Sequence, residues 1–194
     1  MFSGKTSELI RLVDRRRIAG KKCLVIKHIN DNRFDNLVNS RPQTNNNNPC
    51  NHHITTHSEI TYYKCDIVHI DNLFDENLIQ RIHQNYQVVG IEEGFFFKRI
   101  NEFCNTLANN GIEVIVATLE SSYKQQLFKE IGELIANSEK VIKLHSVCMR
   151  CKKSKASFNI RLVNSNEEIL VGGQGEYQSV CRKCLNQFRI TNNN

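Results

Sequence analysis

No run in this 194-residue sequence approaches the length of a membrane-spanning helix, roughly twenty apolar residues. No cationic leader precedes an apolar segment either, which excludes the usual form of secretory signal. The chain therefore reads as a soluble, intracellular protein of the cytoplasm, with no membrane partner. Charge of one sign is not in great excess: the formal net charge is +6. That balance suits an anionic ligand such as a nucleotide, and it also suits weak contact with RNA or DNA. The hydrophobic fraction of 40% is enough for a core, and the length supports one domain or one domain with a small appendage.

A further absence is local. Met1-Phe2-Ser3-Gly4-Lys5-Thr6 is the second half of a G-x-x-x-x-G-K-[ST] pattern whose leading glycine is missing. In the full pattern, glycine lets successive backbone N–H groups curl around a phosphate. Lys5 would reach the β/γ oxygens, and the Thr6 hydroxyl would sit on Mg²⁺. Four-residue matches also arise by chance, but the context here favours a phosphate loop. Ser7 to Gly20 carries Leu9, Ile10, Leu12, Val13 and Ile18 at helical spacing among arginines, and Gly20 suits a helix end. Cys23-Leu24-Val25-Ile26 then reads as a buried strand. The strand expected before the loop is absent, so the N-terminus reads as truncated.

Strands and helices continue to alternate. Val88 to Ile91 is an apolar strand ending in Glu92-Glu93-Gly94 and followed by Phe95-Phe96-Phe97. A helix is expected from about Lys98 to Asn110, a strand over Val114 to Ala117, a helix from about Ser122 to Ile135 and a strand over Val141 to Leu144. That order predicts an α/β fold with a parallel sheet, helices on both faces and ligands at the carboxyl ends of the strands. Glu92 and Glu93 stand at such an end and are the leading candidates for Mg²⁺ handling and general base catalysis; the bland alternative is a solvated acidic turn.

Eight cysteines would suggest disulfides in a secreted chain, but four of them have another explanation. Cys148-x-x-Cys151 and Cys181-x-x-Cys184 are matched pairs, each able to present two thiolates from one tight turn. Together they complete a tetrahedral Zn²⁺ site with no open position, so the metal is structural. Between the pairs, Ala156 to Val163 and Glu168 to Val171 read as strands joined at Asn164-Ser165-Asn166. Of the others (Cys23, Cys50, Cys65, Cys104), Cys23 and Cys104 suit small buried positions. The stretch from Asn30 to Lys64 has an asparagine run, two prolines and His52, His53 and His57. Its spacing fits no compact metal site, and it reads as a polar loop. The expected division is a body over 1–147 with a polar insertion at about 39–58, a zinc-knuckle lobe over 148–190 and a disordered tail over 191–194.

In sequence order, M-F-S-G-K-T-x-E-L-I-R, K-C-L-V-I-K, V-V-G-I-E-E-G-F-F-F, V-C-M-R-C and V-G-G-x-x-x-Y-x-S-V-C-R-x-C resemble the cytosolic, zinc-containing thymidine kinases over nearly the whole chain. The resemblance implies a P-loop, RecA-like fold with a small C-terminal zinc-binding lasso lobe. It also implies ATP-dependent phosphorylation of the thymidine 5′-hydroxyl, structural zinc, Mg²⁺ and a homotetramer. By the same resemblance, Glu93 is the base, and Met1 to Thr6 with Glu92, Gly94 and Phe95 form the ATP and Mg²⁺ site. Phe96, Leu119, Tyr123 and Phe128 line the thymidine pocket with Asn159 and Tyr177, while Glu168, Ile169, Leu170, Val171 and Gly172 offer backbone groups to the base. Departures from the family pattern stand at Glu92, Phe95, Ser58 and Glu120. Two alternatives remain open: a catalytically impaired relative that serves as an interaction subunit, and a zinc-ribbon nucleic-acid-binding protein, drawn from the basic run Arg150 to Lys155.

Overall fold

The computed structural model describes residues 2–31, 54–55, 61–62, 64–164, 172 and 175–192. The expectations for Met1, for most of the polar segment 39–58 and for Glu168 to Val171 lie outside these residues.

Helix α1 (Lys5–Ile18) buries Leu9 and Val13 and exposes its arginine-rich face. Its end is closed by Gly20 at φ 83°, whose N–H donates to the Arg17 carbonyl while that of Lys21 donates to Arg16. Strand β1 (Cys23–His28) is buried along its whole length. After the short hairpin of β2 (Ile54–Thr55) and β3 (Thr61–Tyr62) come β4 (Asp66–Ile70) and α2 (Glu76–Asn85). Asp75 caps α2 by accepting the Leu78 N–H at 2.8 Å. Then follow β5 (Val88–Ile91), a 3₁₀ turn at Gly94–Phe96, α3 (Ile100–Asn109), β6 (Glu113–Val116) and α4 (Lys129–Ala136).

Strands β4, β1, β5 and β6 form one parallel sheet in that order. Alternation along β1 divides the core in two. Cys23 and Val25 join Leu9 and Val13 of α1 on one face. Leu24 and Ile26 join Leu78 and Ile82 of α2, Ile100, Phe103 and Leu107 of α3, and Ile131 of α4 on the other. Helices thus cover both faces, as the alternating sequence pattern requires.

A smaller C-terminal lobe has two antiparallel pairs. Strand β7 (Ser146–Val147) pairs with β8 (Lys155–Ala156), and β9 (Phe158–Arg161) pairs with β10 (Tyr177–Val180). Helix α5 (Arg182–Asn192) closes it, running into the stretch expected to be a disordered tail. The lobe core is Cys148, Ala156, Ile160, Val180, Cys181, Cys184 and Leu185.

Three expected elements differ. The helix expected from Ser122 begins only at Lys129. Gln125 takes φ 63°, and Ser122 N–H donates to the Gln126 carbonyl, so the chain makes a tight turn bridged between Ser121 and Leu127. The apolar run Val141 to Leu144 pairs with no strand among the described residues, and Val141 and Ile142 stay exposed. A strand is defined by a partner, and β-branched composition alone supplies none. The strand expected over Ala156 to Val163 is two shorter ones, ending before the exposed Leu162 and Val163.

Candidate functional site

The N-terminus of α1 and the carboxyl end of β5 meet. Gly4 adopts φ 77°, ψ 23°, a left-handed conformation that glycine takes without strain, and its carbonyl accepts the Glu8 N–H at 2.8 Å to open the helix. Two residues on, the Thr6 hydroxyl donates to Glu92 Oε1 at 2.6 Å. Glu92 follows β5 directly and its N–H donates to the Ile26 carbonyl, which holds the strand end in register with β1.

Both acidic residues are buried, Glu92 at 2% and Glu93 at 4% exposure, so the solvated-turn reading does not hold. Glu93 sits at φ 48°, an unusual conformation for a residue with a side chain, fixed by the 3₁₀ turn that follows. Gly94 belongs to that constraint: a β-carbon there would stand 2.7 Å from Val116 Cγ1 and 2.8 Å from Ile100 Cδ1. Burial, then the neighbouring Glu93 charge, push the Glu92 carboxyl up to about 8, while the Thr6 hydroxyl and Lys5 pull against them. Glu92 Oε2 is buried and accepts no hydrogen bond among the described residues. An orphaned carboxylate oxygen beside a threonine hydroxyl fits a divalent cation.

Sequence reasoning missed two residues here. Lys27 and Asp31 are both buried and form an ion pair at 3.8 Å, with Asp31 close enough to act on Glu92 electrostatically. A lysine inside the apolar run of β1 was the available signal, because a buried lysine needs a partner.

An aromatic wall adjoins the carboxylates. Phe95 lies 4.3 Å from Phe96 and stacks on Phe128 at 5.4 Å, 15° from parallel; His28 packs on Phe96 at 5.3 Å and edge-on to Phe97 at 4.8 Å. Phe95, which departs from the family pattern, thus joins the expected pocket residues Phe96 and Phe128. Tyr123 and Tyr177, one from the body and one from the lobe, are brought to the same side chain, Arg161. Leu119 is half-buried three residues beyond β6, and Asn159 lies on β9 opposite Ser179. Gly172 is half-buried, and a β-carbon there would stand only 2.7 Å from Glu176 Cγ. Phe2 and Ser3 are half-buried just before Gly4, Phe2 with φ 52°.

The sulfur atoms of Cys148, Cys151, Cys181 and Cys184 all lie within 4.8 Å of one another. Cys151 and Cys181 are 4.0 Å apart, too far for a disulfide and close to the edge of a tetrahedron with Zn–S bonds of about 2.3 Å. The first knuckle is shaped by backbone bonds, Lys152 N–H to the Cys148 carbonyl and Cys148 N–H to that of Ser154. The thiols divide unequally. Burial raises Cys148, but backbone N–H groups of Cys151, Cys181 and Arg150 outweigh it and bring the thiol down to about 6. Cys184 is pushed up to about 12, first by burial and then by the neighbouring sulfurs. Four sulfurs at this spacing fit Zn²⁺, whose charge favours thiolate at every position. Within the basic run Arg150 to Lys155, Arg150 packs over Phe188 at 5.2 Å, and Lys152 is part of the knuckle.

A helix N-terminus aimed at buried carboxylates on a parallel α/β sheet, joined to a four-cysteine lobe, defines a mixed α/β protein with a metal-binding appendage. Comparison with known proteins is specific. The thymidine kinase family model matches residues 1–185. A protein named thymidine kinase from Acanthamoeba polyphaga mimivirus is 55% identical over 192 residues, covering 99% of this chain and 81% of the relative. The thymidine kinase of sheeppox virus is 40% identical over 95% of this chain and 91% of its own length. Thymidine kinase 1 of Dictyostelium discoideum is 37% identical over 96% of this chain and 74% of its own. The chain belongs to the thymidine kinase family.

Proposed function

We propose that this protein transfers the γ-phosphoryl group of ATP to the 5′-hydroxyl of thymidine, giving dTMP. The observation that carries this reading is the Thr6–Glu92 contact, which fastens the α1 N-terminus to the buried carboxylates at the end of β5. Phosphoryl transfer passes through a loose transition state in which positioning and charge neutralisation dominate. Lys5 and the backbone N–H groups from Phe2 to Thr6 hold the phosphates, with the helix dipole adding positive potential. Thr6 and Glu92 hold Mg²⁺, which when bound neutralises charge on the transferring group. Glu93 accepts the 5′-hydroxyl proton. The aromatic wall of Phe95, Phe96 and Phe128, with Leu119 and Tyr123, receives the pyrimidine. The lobe residues Asn159, Gly172 and Tyr177, together with the segment 168–171, close over it. Four cysteines with structural Zn²⁺ would fix the two ends of the loop from Cys151 to Cys181, so that main-chain groups can read the base edge without drifting.

In this reading residues 1–147 form the kinase body and 148–190 the lasso lobe, in a cytoplasmic homotetramer. The test is formation of dTMP from thymidine, ATP and Mg²⁺ by the purified chain. A zinc-loaded, folded preparation that makes none would refute the proposal.

A further inference from the structure

The body and the lobe each contribute a tyrosine to one point, and a single side chain joins them. Arg161 closes β9 and stands directly opposite Tyr177 on β10. Its guanidinium donates to the Tyr177 hydroxyl at 2.7 Å and lies 5.3 Å from the centre of that ring. It also lies over Tyr123, with the guanidinium carbon 4.0 Å from the ring centre. Arg161 is only 7% exposed, so the contact is shielded from water. Tyr123 rides on the tight turn bridged by Ser121 and Leu127.

We infer that Arg161 is a positioning residue for nucleoside recognition, a clamp that holds Tyr177 of the lobe against Tyr123 of the body. The inference rests on the reading of these tyrosines as walls of the thymidine pocket. The residue type fits the task. A guanidinium is planar, permanently charged and weakly hydrated, so it can stack on one ring while its fork donates beside another. An ammonium keeps the charge but has neither the flat face nor the fork. The hydrogen bond also sets the chemistry of Tyr177. Its oxygen accepts from Arg161, which leaves its own proton to donate elsewhere. Arg161 thus fixes ring position and hydroxyl direction together, and it does so at the junction of body and lobe. Acting through Tyr123 and Tyr177, it governs nucleoside affinity rather than the chemical step.

The test compares Arg161→Met, Arg161→Lys and Tyr177→Phe in the full, zinc-loaded chain. The readouts are kcat, KM for thymidine, KM for ATP, zinc content and the near-ultraviolet circular dichroism of tyrosine. The chain has no tryptophan, so that band is not masked. Arg161→Met is expected to raise KM for thymidine roughly ten-fold with KM for ATP unchanged, and to alter the tyrosine band. Arg161→Lys recovers part of the loss. Tyr177→Phe has a milder effect alone and adds little to Arg161→Met. An unchanged KM for thymidine, or a fall in kcat that tracks lost zinc in every variant, would overturn the inference. Should Arg161→Met fail to fold, the two volume-conserving variants decide it by the same KM criterion. Absence of thymidine phosphorylation by the wild-type chain would instead refute the proposed function. The clamp would then stand or fall on whether the tyrosine band changes in Arg161→Lys.

Discussion

Two adjacent glutamates at a strand end sit in different surroundings. Glu92 is tied to Thr6 and faces α1, whereas Glu93 is turned by its left-handed backbone into the 3₁₀ segment. Replacing Glu93 with glutamine keeps shape and removes the proposed proton acceptor. The expected loss in kcat is about 10²–10⁴-fold, measured under saturating thymidine and ATP. Lys5→Ala removes a charge from the proposed phosphate site and is expected to reduce kcat/KM further still, because positioning and charge neutralisation dominate the barrier. Normal turnover in Lys5→Ala would show that α1 does not carry the phosphate site. At this scale the sequence was informative where chemistry follows an apolar run, as at Glu92 and Glu93. A lysine within the apolar run of β1 hinted at a buried Lys27, but its partner Asp31 was not legible, because the pairing depends on both side chains being enclosed at the end of β1.

The attachment of α1 to the sheet is an element-scale matter with two parts. Gly90 at the centre of β5 lets the helix come close: a β-carbon there would stand 3.1 Å from Val13 Cγ2 and 3.3 Å from Leu9 Cδ1. Gly90→Val is therefore expected to overpack this face and destabilise the protein by about 1–3 kcal/mol in urea titrations. At the other end, Arg16 Nε donates to Glu113 Oε1 at 2.8 Å and Lys21 reaches Oε2 at 3.3 Å, joining the helix C-terminus to the start of β6. Arg16 first, and Lys21 after the opposing effect of burial, lower the Glu113 carboxyl below its ordinary value of 4.5. A carboxyl lowered by folding adds stability above its unfolded value and loses it as pH falls through the folded one. Glu113→Gln is thus expected to be less stable than wild type by up to about 1 kcal/mol at neutral pH, since the pair is part-exposed. The gap should close in acid; a gap independent of pH would exclude the ion pairs as its cause. Periodicity made α1, β1, β5 and α3 legible, because each pairs a strong apolar pattern with a clear stop. It failed at Ser122 to Phe128, where a turn with Gln125 at positive φ precedes a shorter helix, and at Val141 to Leu144, where strand-like composition meets no partner strand among the described residues.

The C-terminal cysteine cluster was visible in the spacing of Cys148, Cys151, Cys181 and Cys184. The junction was not, since Tyr123 and Arg161 are brought together only by the fold. In the proposed reading, that junction makes a metal on the four cysteines matter for binding as well as for stability. Of the seven buried residues in the lobe core, three are cysteines, so little apolar surface remains to hold β7 to β10 and α5 in place. Structural zinc supplies on the order of 10–16 kcal/mol in small domains, comparable with the whole stability of an ordinary protein. The body has its own cores on both faces of its sheet and does not share this dependence. Purified protein is therefore expected to contain one zinc per chain. A strong chelator, or Cys181→Ser, should loosen the lobe, withdraw Tyr177 and Arg161 from Tyr123 and abolish thymidine binding. Most far-ultraviolet helical signal should survive, because four of the five α-helices among the described residues belong to the body. ATP affinity should survive with it, because Lys5, Thr6 and Glu92 stand on α1 and at the end of β5 and not on the lobe. Full thymidine binding in protein shown to be free of zinc would break the link between metal and pocket. Loss of ATP binding in parallel with thymidine binding would show instead that body and lobe unfold as one unit.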